Sequence, residues 1–352
     1  MERRHHTVPI SYLLGFCDPK HQLRAFDRQT QRQSTVSVKD ASVVTDFYQM
    51  PGEADPAMVE RDTLGDIEGV ASPIFSQIRK GELAINSEAS GVLARFIAMQ
   101  LVRTTQTRYW AEDLADWYGK VWFEGMTRET VALRFREKGI EPLESQVDAV
   151  MEFVENPQRF RFVPPQGSSL LLMLTTFLGI LPHIDRGWNW IVAHSSGRPF
   201  LTSDHPVVMV GDSVNDGVGV ASADEIWLPV GRHYAVVMSR DHSLPPVFLN
   251  VRSDHVRRIC QRIAWEAQRW VYWHPRDDAL RDIDVPRREK NLVVETMGWR
   301  DRPDGTVGEI VRLGQPRPKI PGECLLSGRP VTDQKAVFDG LRAHRDSKSS
   351  SP

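Results

Sequence analysis

A chain of 352 residues is long enough for one large or two modest domains with a sizeable core. Hydrophobic residues at 41% and charged residues at 26% exclude a disordered, collagenous or repeat-array protein. Lysines and arginines (44) nearly balance aspartates and glutamates (46), so a nucleic-acid or membrane-surface partner would need a local basic patch.

The opening MERRHHTVPISYLLGF puts basic residues ahead of an apolar stretch, but that stretch is short, holds Pro9 and lacks a small-residue cleavage site. It does not read as a signal peptide. His5 and His6 are neighbours and would point to opposite sides of an extended segment, so at most one faces a given site. Their place near a terminus predicts exposure. Residues 1–50 mix short β-branched and aromatic runs (LRAFDR, QSTVSVKD) with turn residues, which predicts a small hairpin-like element.

From residue 55 to about 179, apolar residues recur at three and four spacing, with breaks at Pro73, Gly81, Gly139 and Asn156-Pro157. This is a helical block. Within it, residues 87–108 project as one helix whose stripe of Leu93, Phe96, Ile97 and Leu101 runs on into Gln100, Thr104 and Thr107, with Arg103 on its flank. A core-facing side that turns polar needs partners, so Arg103 must meet a protein carboxylate, the commoner case, or a bound anionic ligand. The apolar maximum at residues 170–181 is fenced by Pro164, Pro165 and Pro182. It is too short to cross about 30 Å of hydrocarbon and reads as a buried core helix, capped by Ser168 or Ser169 and stopped by Pro182.

From Trp188 short apolar runs alternate with turns (WNWIVAHS, RPFLTSD, PVVMVG, EIWLPVG, HYAVVMS), the pattern of a mostly antiparallel sheet. One strand breaks at Thr202-Ser203-Asp204-His205-Pro206, where Pro206 holds His205 extended and Asp204 suits an Asx-turn. An acid beside an imidazole fits metal binding or acid–base work, and fits a plain turn equally. One helix is expected over residues 253–273. It would bury Val256, Ile259, Cys260, Ile263, Ala267 and Trp270 and gather Arg258, Arg262, Trp265 and Arg269 on the opposite side. That face is either a patch for stacking a base and binding phosphates or a solvated surface on which Arg262 and Arg269 pair with Glu266. NLVVETMGW and TVGEIVRL predict strands around loops that include Asp304-Gly305, and residues 341–352 form a polar tail to a single unit at 1–340.

Cys17, Cys260 and Cys324 are too scattered for a disulfide framework or a CxxC knuckle, which suits a reducing cytoplasm. HExxH, the P-loop and GxSxG are absent from the sequence. So is a GxGxxG between strand and helix; Gly217-Val218-Gly219 sits in a polar loop.

In this order, HHTVPISYLLGF, Gln100-Leu101-Val102-Arg103-Thr104, PFLTSDHPVV, IWLPVGRHY and VRRICQRIAWEAQRWVYW resemble the domain-of-unknown-function family 4238 over roughly residues 5–274. The resemblance implies membership without a reaction and marks His6, Glu68, Arg103, Asp204 and Pro206 as the characteristic set. Thr7 departs from it where an aromatic is frequent, Thr105 where proline often follows, and Cys260 where asparagine is expected.

The expected fold class is α+β, an N-terminal β element and central helical block packed on a C-terminal, mostly antiparallel sheet. Two functions fit. The first is a hydrolase, a metal-assisted phosphodiesterase or nuclease, in which His6, Glu68 and Asp204 supply the base or the ligands of a divalent Mg, Mn or Zn ion and Arg103 holds an anionic group. The second is a non-enzymatic binding or regulatory protein, with no membrane partner, whose polar core fixes the architecture. Its Arg258, Arg262, Trp265 and Arg269 face would meet an anionic small molecule or nucleic acid. On the first reading His6, Arg103 and Asp204 converge.

Overall fold

The computed structural model describes residues 4–49, 63–83, 85–211, 219–245, 248–288, 293–301 and 307–314. Strand β1 (Arg4–His6) leads through Pro9 into the short helix α1 (Ile10–Leu13) and a 3-10 turn. The expected hairpin follows, β2 (Gln22–Asp27) against β3 (Arg32–Ser37), and β4 (Val43–Thr45) returns antiparallel to β1. The helical block comprises α2 (Gly65–Lys80), α3 (Ser87–Val102), α4 (Thr105–Phe123), α5 (Arg128–Glu137), α6 (Glu144–Glu155) and α7 (Gln166–Asp185). Strands β5 (Asn189–His194), β6 (Thr202–Ser203), β7 (Val208–Val210), β8 (Glu225–Gly231), β9 (Tyr234–Ser239) and β10 (Phe248–Asn250) then precede helix α8 (Ser253–Glu266) and strand β11 (Trp270–Trp273). Strands β12 (Val293–Asp301) and β13 (Val307–Gly314) pair with each other, at the two runs read as strands. The class is α+β.

One sheet has the order β10-β5-β9-β8-β7 and is antiparallel except where β10 lies parallel to β5. The second runs β3-β2-β11-β6 and is antiparallel throughout. The N-terminal hairpin is therefore not a separate element resting on a C-terminal sheet. It supplies two strands of a sheet completed by β11 and β6, because the backbone groups of β2 pair with β11 in the register Asp27↔Trp270 to Arg24↔Trp273.

An aromatic cluster joins the layers. Phe75 of α2 meets Phe96 of α3 edge-on at 4.8 Å, and Tyr12 of α1 lies 5.9 Å from Phe75. The Tyr12 hydroxyl donates to the Pro229 carbonyl of β8, and Arg79 of α2 donates to the carbonyls of Ser11, Tyr12 and Val230. Burial pushes the Arg79 guanidinium down to about 10.

Several sequence expectations are corrected here. Pro73 lies inside α2 and does not break it. The break after it falls at Gly81, whose φ of 73° is the left-handed conformation that glycine adopts without a Cβ clash. The helix expected over 87–108 is two helices that meet at Arg103 and Thr104. The helix expected over 253–273 stops at Glu266, and Trp270 to Trp273 are strand. Helix α7 begins after Pro165, runs through Pro182 and ends at Asp185, so it is longer than the 170–181 segment, and it is long and apolar enough by length and composition to cross a bilayer. Nor is it a buried core helix. Leu170, Met173, Phe177 and Ile184 are buried, while Leu171, Leu172 and Leu178 are exposed. The Asp304-Gly305 loop, Gly217-Val218 and the tail at 341–352 lie outside the described residues.

Candidate functional site

Helix α3 ends where Arg103 takes φ −88°, ψ 5° and Thr104 turns extended. The Thr104 hydroxyl accepts from the Thr107 backbone N–H and so caps α4, offering the chain an alternative to continuing α3. This break turns the Arg103 side chain inward, where only 2% of it is exposed. Its Nε donates to the Thr7 carbonyl at 3.0 Å, its Nη1 to Glu68 Oε1 at 2.7 Å and its Nη2 to the His6 carbonyl at 3.4 Å. Gln100 Nε2 donates to the same Thr7 carbonyl, and the Tyr48 hydroxyl donates to the carbonyl of Arg103. All three guanidinium nitrogens are thus engaged by β1, by its following residue and by α2. The partner carboxylate is Glu68.

The pair His5 and His6 is not exposed as its terminal position suggested. His5 is buried, stacks on Tyr48 at 5.5 Å and accepts the Tyr48 backbone N–H at Nδ1. His6 is half-buried, with Nδ1 3.1 Å from the Ala41 carbonyl. His6 and Glu68 line a cavity of about 470 Å³ with Ser11 and Tyr48.

Asp204 makes a separate network of bonds. It is buried at the corner after β6, where its Oδ1 accepts the backbone N–H of Gln268 and its Oδ2 those of Arg269 and Trp270, at 2.8, 2.8 and 3.0 Å. The acid pins the loop that joins α8 to β11 and does not form the expected Asx-turn; the local turn is made by Ser203, whose Oγ accepts the His205 backbone N–H. Burial raises the Asp204 carboxyl above its ordinary range, against the pull of the three backbone N–H groups and of Arg28. Buried Arg28 holds the same loop, donating to the carbonyls of Trp265, Ala267 and Pro286. Next to Asp204, buried His205 places Nδ1 3.2 Å from the Thr104 hydroxyl and Nε2 3.7 Å from Glu266.

His6 and Glu68 therefore share one cavity and Asp204 borders another. The three do not assemble as a ligand set. Among the described residues, no group of three or more His, Cys, Asp or Glu side chains is placed to hold a metal ion. The carboxylate that Arg103 meets is Glu68, because the polar end of α3 faces β1 and α2.

The arginine face expected on α8 is also dispersed. Arg258 is exposed, Trp265 is half-buried and Arg262 is buried. Arg269 lies beyond the helix in the loop entering β11. There it donates from Nε and Nη2 to Asp27 Oδ2 at 3.2 and 2.9 Å, and its guanidinium carbon sits 4.9 Å from the centre of the Trp270 ring. The bonds to Asp27 raise the Arg269 pKa. Asp27 is held below the usual carboxylate range, since Arg269 and the Gln29 backbone N–H outweigh its burial.

Arg269 lines a cleft of about 310 Å³ with Thr105, Tyr109, Asp204, Trp270 and Tyr272. The Trp270 and Tyr272 rings are stacked 14° from parallel at 6.4 Å. Sequence reasoning missed Asp27, Tyr109, Trp270 and Tyr272. The i, i+2 spacing of Trp270 and Tyr272 marks one face of a strand and would have revealed the platform had RWVYW not been absorbed into the preceding helix.

Neither a curated protein nor a solved structure matches this chain. The family model described as a protein of unknown function, DUF4238, matches residues 4–277, which takes in both cavities, the Arg103 and Asp204 networks and the Arg269 cleft. The chain belongs to the DUF4238 family.

Proposed function

We propose that this protein is a binding protein for a small anionic molecule carrying a flat ring, held in the Arg269 cleft. The observation that carries the reading is the state of that guanidinium. Asp27 fixes Arg269 through Nε and Nη2, while Nη1 makes no bond among the described residues and the side chain is 45% exposed. A pre-oriented Arg beside aromatic rings suits a charged group on the ligand and a ring stacked next to it.

Two features add to the charge balance. The first turn of α4 reaches the cleft at Thr105, bringing the positive end of that helix. The acids at the cleft are compensated, since Asp204 is covered by three backbone N–H groups and Asp40 is paired with Arg4 at 2.6 Å. The volume of about 310 Å³ is at the lower end for a small-molecule site. Arg103 and Asp204 act on this reading as architectural groups.

The test is a thermal-shift screen of mononucleotides, phosphosugars and aromatic carboxylates on the wild type, on Arg269→Gln and on Arg258→Gln as a surface control. A ligand that binds only the folded state raises Tm saturably by the RT ln(1 + [L]/Kd) relation. The expected result is a shift in wild type and Arg258→Gln that Arg269→Gln loses. Equal shifts in all three proteins, or none across the panel, refute the reading.

The hydrolytic alternative retains one supporting observation, that His6 and Glu68 line the larger cavity together with Ser11. It requires turnover of a generic phosphodiester that Glu68→Gln abolishes while the fold survives.

A further inference from the structure

Helix α7 carries no Asp, Glu, Lys or Arg between Gly167 and Ile184, yet only one of its faces is inside the protein. Leu170, Met173, Phe177 and Ile184 belong to the core. The opposite face runs through Ser168, Leu171, Leu172, Thr175, Leu178, Gly179 and Pro182, all exposed, with Leu171 at 63%, Leu172 at 44% and Leu178 at 65%. A solvated helix normally sets charged residues on its outer face. This one presents about five turns without any.

We propose that this face is the contact between two copies of the chain, paired antiparallel about a two-fold axis near Thr175. Three observations select this occupant. First, area: the outer half of a helix about 30 Å long and 11 Å across is roughly 500 Å². Two copies then bury roughly 1,000 Å², the lower bound for a specific interface. Second, charge: a two-fold contact sets the stripe against its own image, with Thr175 at the axis and the residues on either side of it exchanged, so a stripe without ionised groups makes no like-charge pair. Antiparallel pairing also sets each helix end against the end of opposite dipole sign. Third, the basic margin that an anionic lipid surface needs is thin, with Arg186 at the end of α7 and two arginines before it already paired. Arg161 before α7 is paired with Asp113 and Glu112, and Arg159 with Glu152. The core face, which packs Leu170, Met173 and Phe177 inside the protein, argues against a helix surrounded by lipid on every side.

The experiment is sedimentation velocity of the full chain from 1 to 100 μM, comparing wild type with Leu171→Asp/Leu178→Asp. The expected result is a twofold rise in apparent mass for wild type with concentration, abolished in the double variant at unchanged circular dichroism. Because an Asp pair could harm folding, a second arm uses Thr175→Cys and Ser168→Cys under mild oxidation. Thr175→Cys at the axis forms a crosslinked dimer, whereas Ser168→Cys, about two turns away, does not exceed the wild-type background. A wild type that stays monomeric at 100 μM overturns the proposal. So does a dimer that survives both Asp substitutions, equal crosslinking of the two Cys variants, or co-sedimentation of a monomer with phosphatidylcholine vesicles.

Discussion

Replacing Arg103 with Met separates an architectural arginine from a ligand-binding one. Met keeps most of the stem and its packing, so the loss is that of the polar contacts. The guanidinium donates to Thr7, Glu68 and His6, and bonds to charged groups contribute about 1.5–3 kcal/mol each before the cost of stranding a partner. Breaking a fully buried pair costs about 3–5 kcal/mol. Two features pull the figure to the low end. Glu68 is 29% exposed and regains water, and the Thr7 carbonyl keeps its bond from Gln100. The expected loss is about 3 kcal/mol for Arg103→Met. Arg103→Lys loses less, because a single ammonium keeps the charge but cannot replace the planar fork. Equilibrium urea unfolding followed by far-UV circular dichroism reads this as a lower midpoint at unchanged slope. A loss under about 1 kcal/mol, or a loss of ligand binding at full stability, refutes the assignment of Arg103 as a strut between β1 and α2.

Asp204→Asn turns a carboxylate that accepts three backbone N–H bonds into a group with its own donors facing them, so thermal denaturation should show a loss of about 3 kcal/mol or more. Mg, Mn and Zn are expected to shift the melting temperature of neither form, and a shift confined to wild type would restore a ligand role for this acid. Gly15→Ala places a Cβ 2.4 Å from the Val230 carbonyl and 2.6 Å from Arg79 Nε, which should cost about 1–3 kcal/mol in the same assay. Gly69→Ala in α2 meets nothing within 4 Å and should gain about 0.5–1 kcal/mol. The depressed carboxyl of Asp27 contributes stability that is full above its unfolded pKa of about 4 and lost as pH falls through the lower folded value. Asp27→Asn should accordingly flatten the acid limb of Tm against pH, and an unchanged acid limb would show that the Arg269 pair does not contribute.

Composition and local pattern were enough for the class, for the N-terminal hairpin and for the run of helices followed by strands, because those depend on side-chain period and on turn residues. The need of Arg103 for an anion was equally legible, since a guanidinium beside Leu93, Phe96 and Ile97 cannot be buried alone. Which anion answered it was not. Glu68 stands 35 residues away and is selected by the packing of α2 on α3, which no local pattern encodes. The same holds for Asp204, whose partners are backbone N–H groups at residues 268–270 and carry no side-chain signature. In 253–273 the helical period persisted past Glu266, so propensity favoured a continued helix. Pairing of Trp270–Trp273 with both β2 and β6 won, since a strand between two others satisfies its backbone on both edges and buries its face. That choice moved Arg269 off the helix, placed it against Asp27 and opened the cleft beside Trp270. For α7 the sequence determined an apolar helix, but only the tertiary structure decided that one face lies in the core and the other outside. A segment apolar on every side carries no periodicity to say which face the rest of the chain covers.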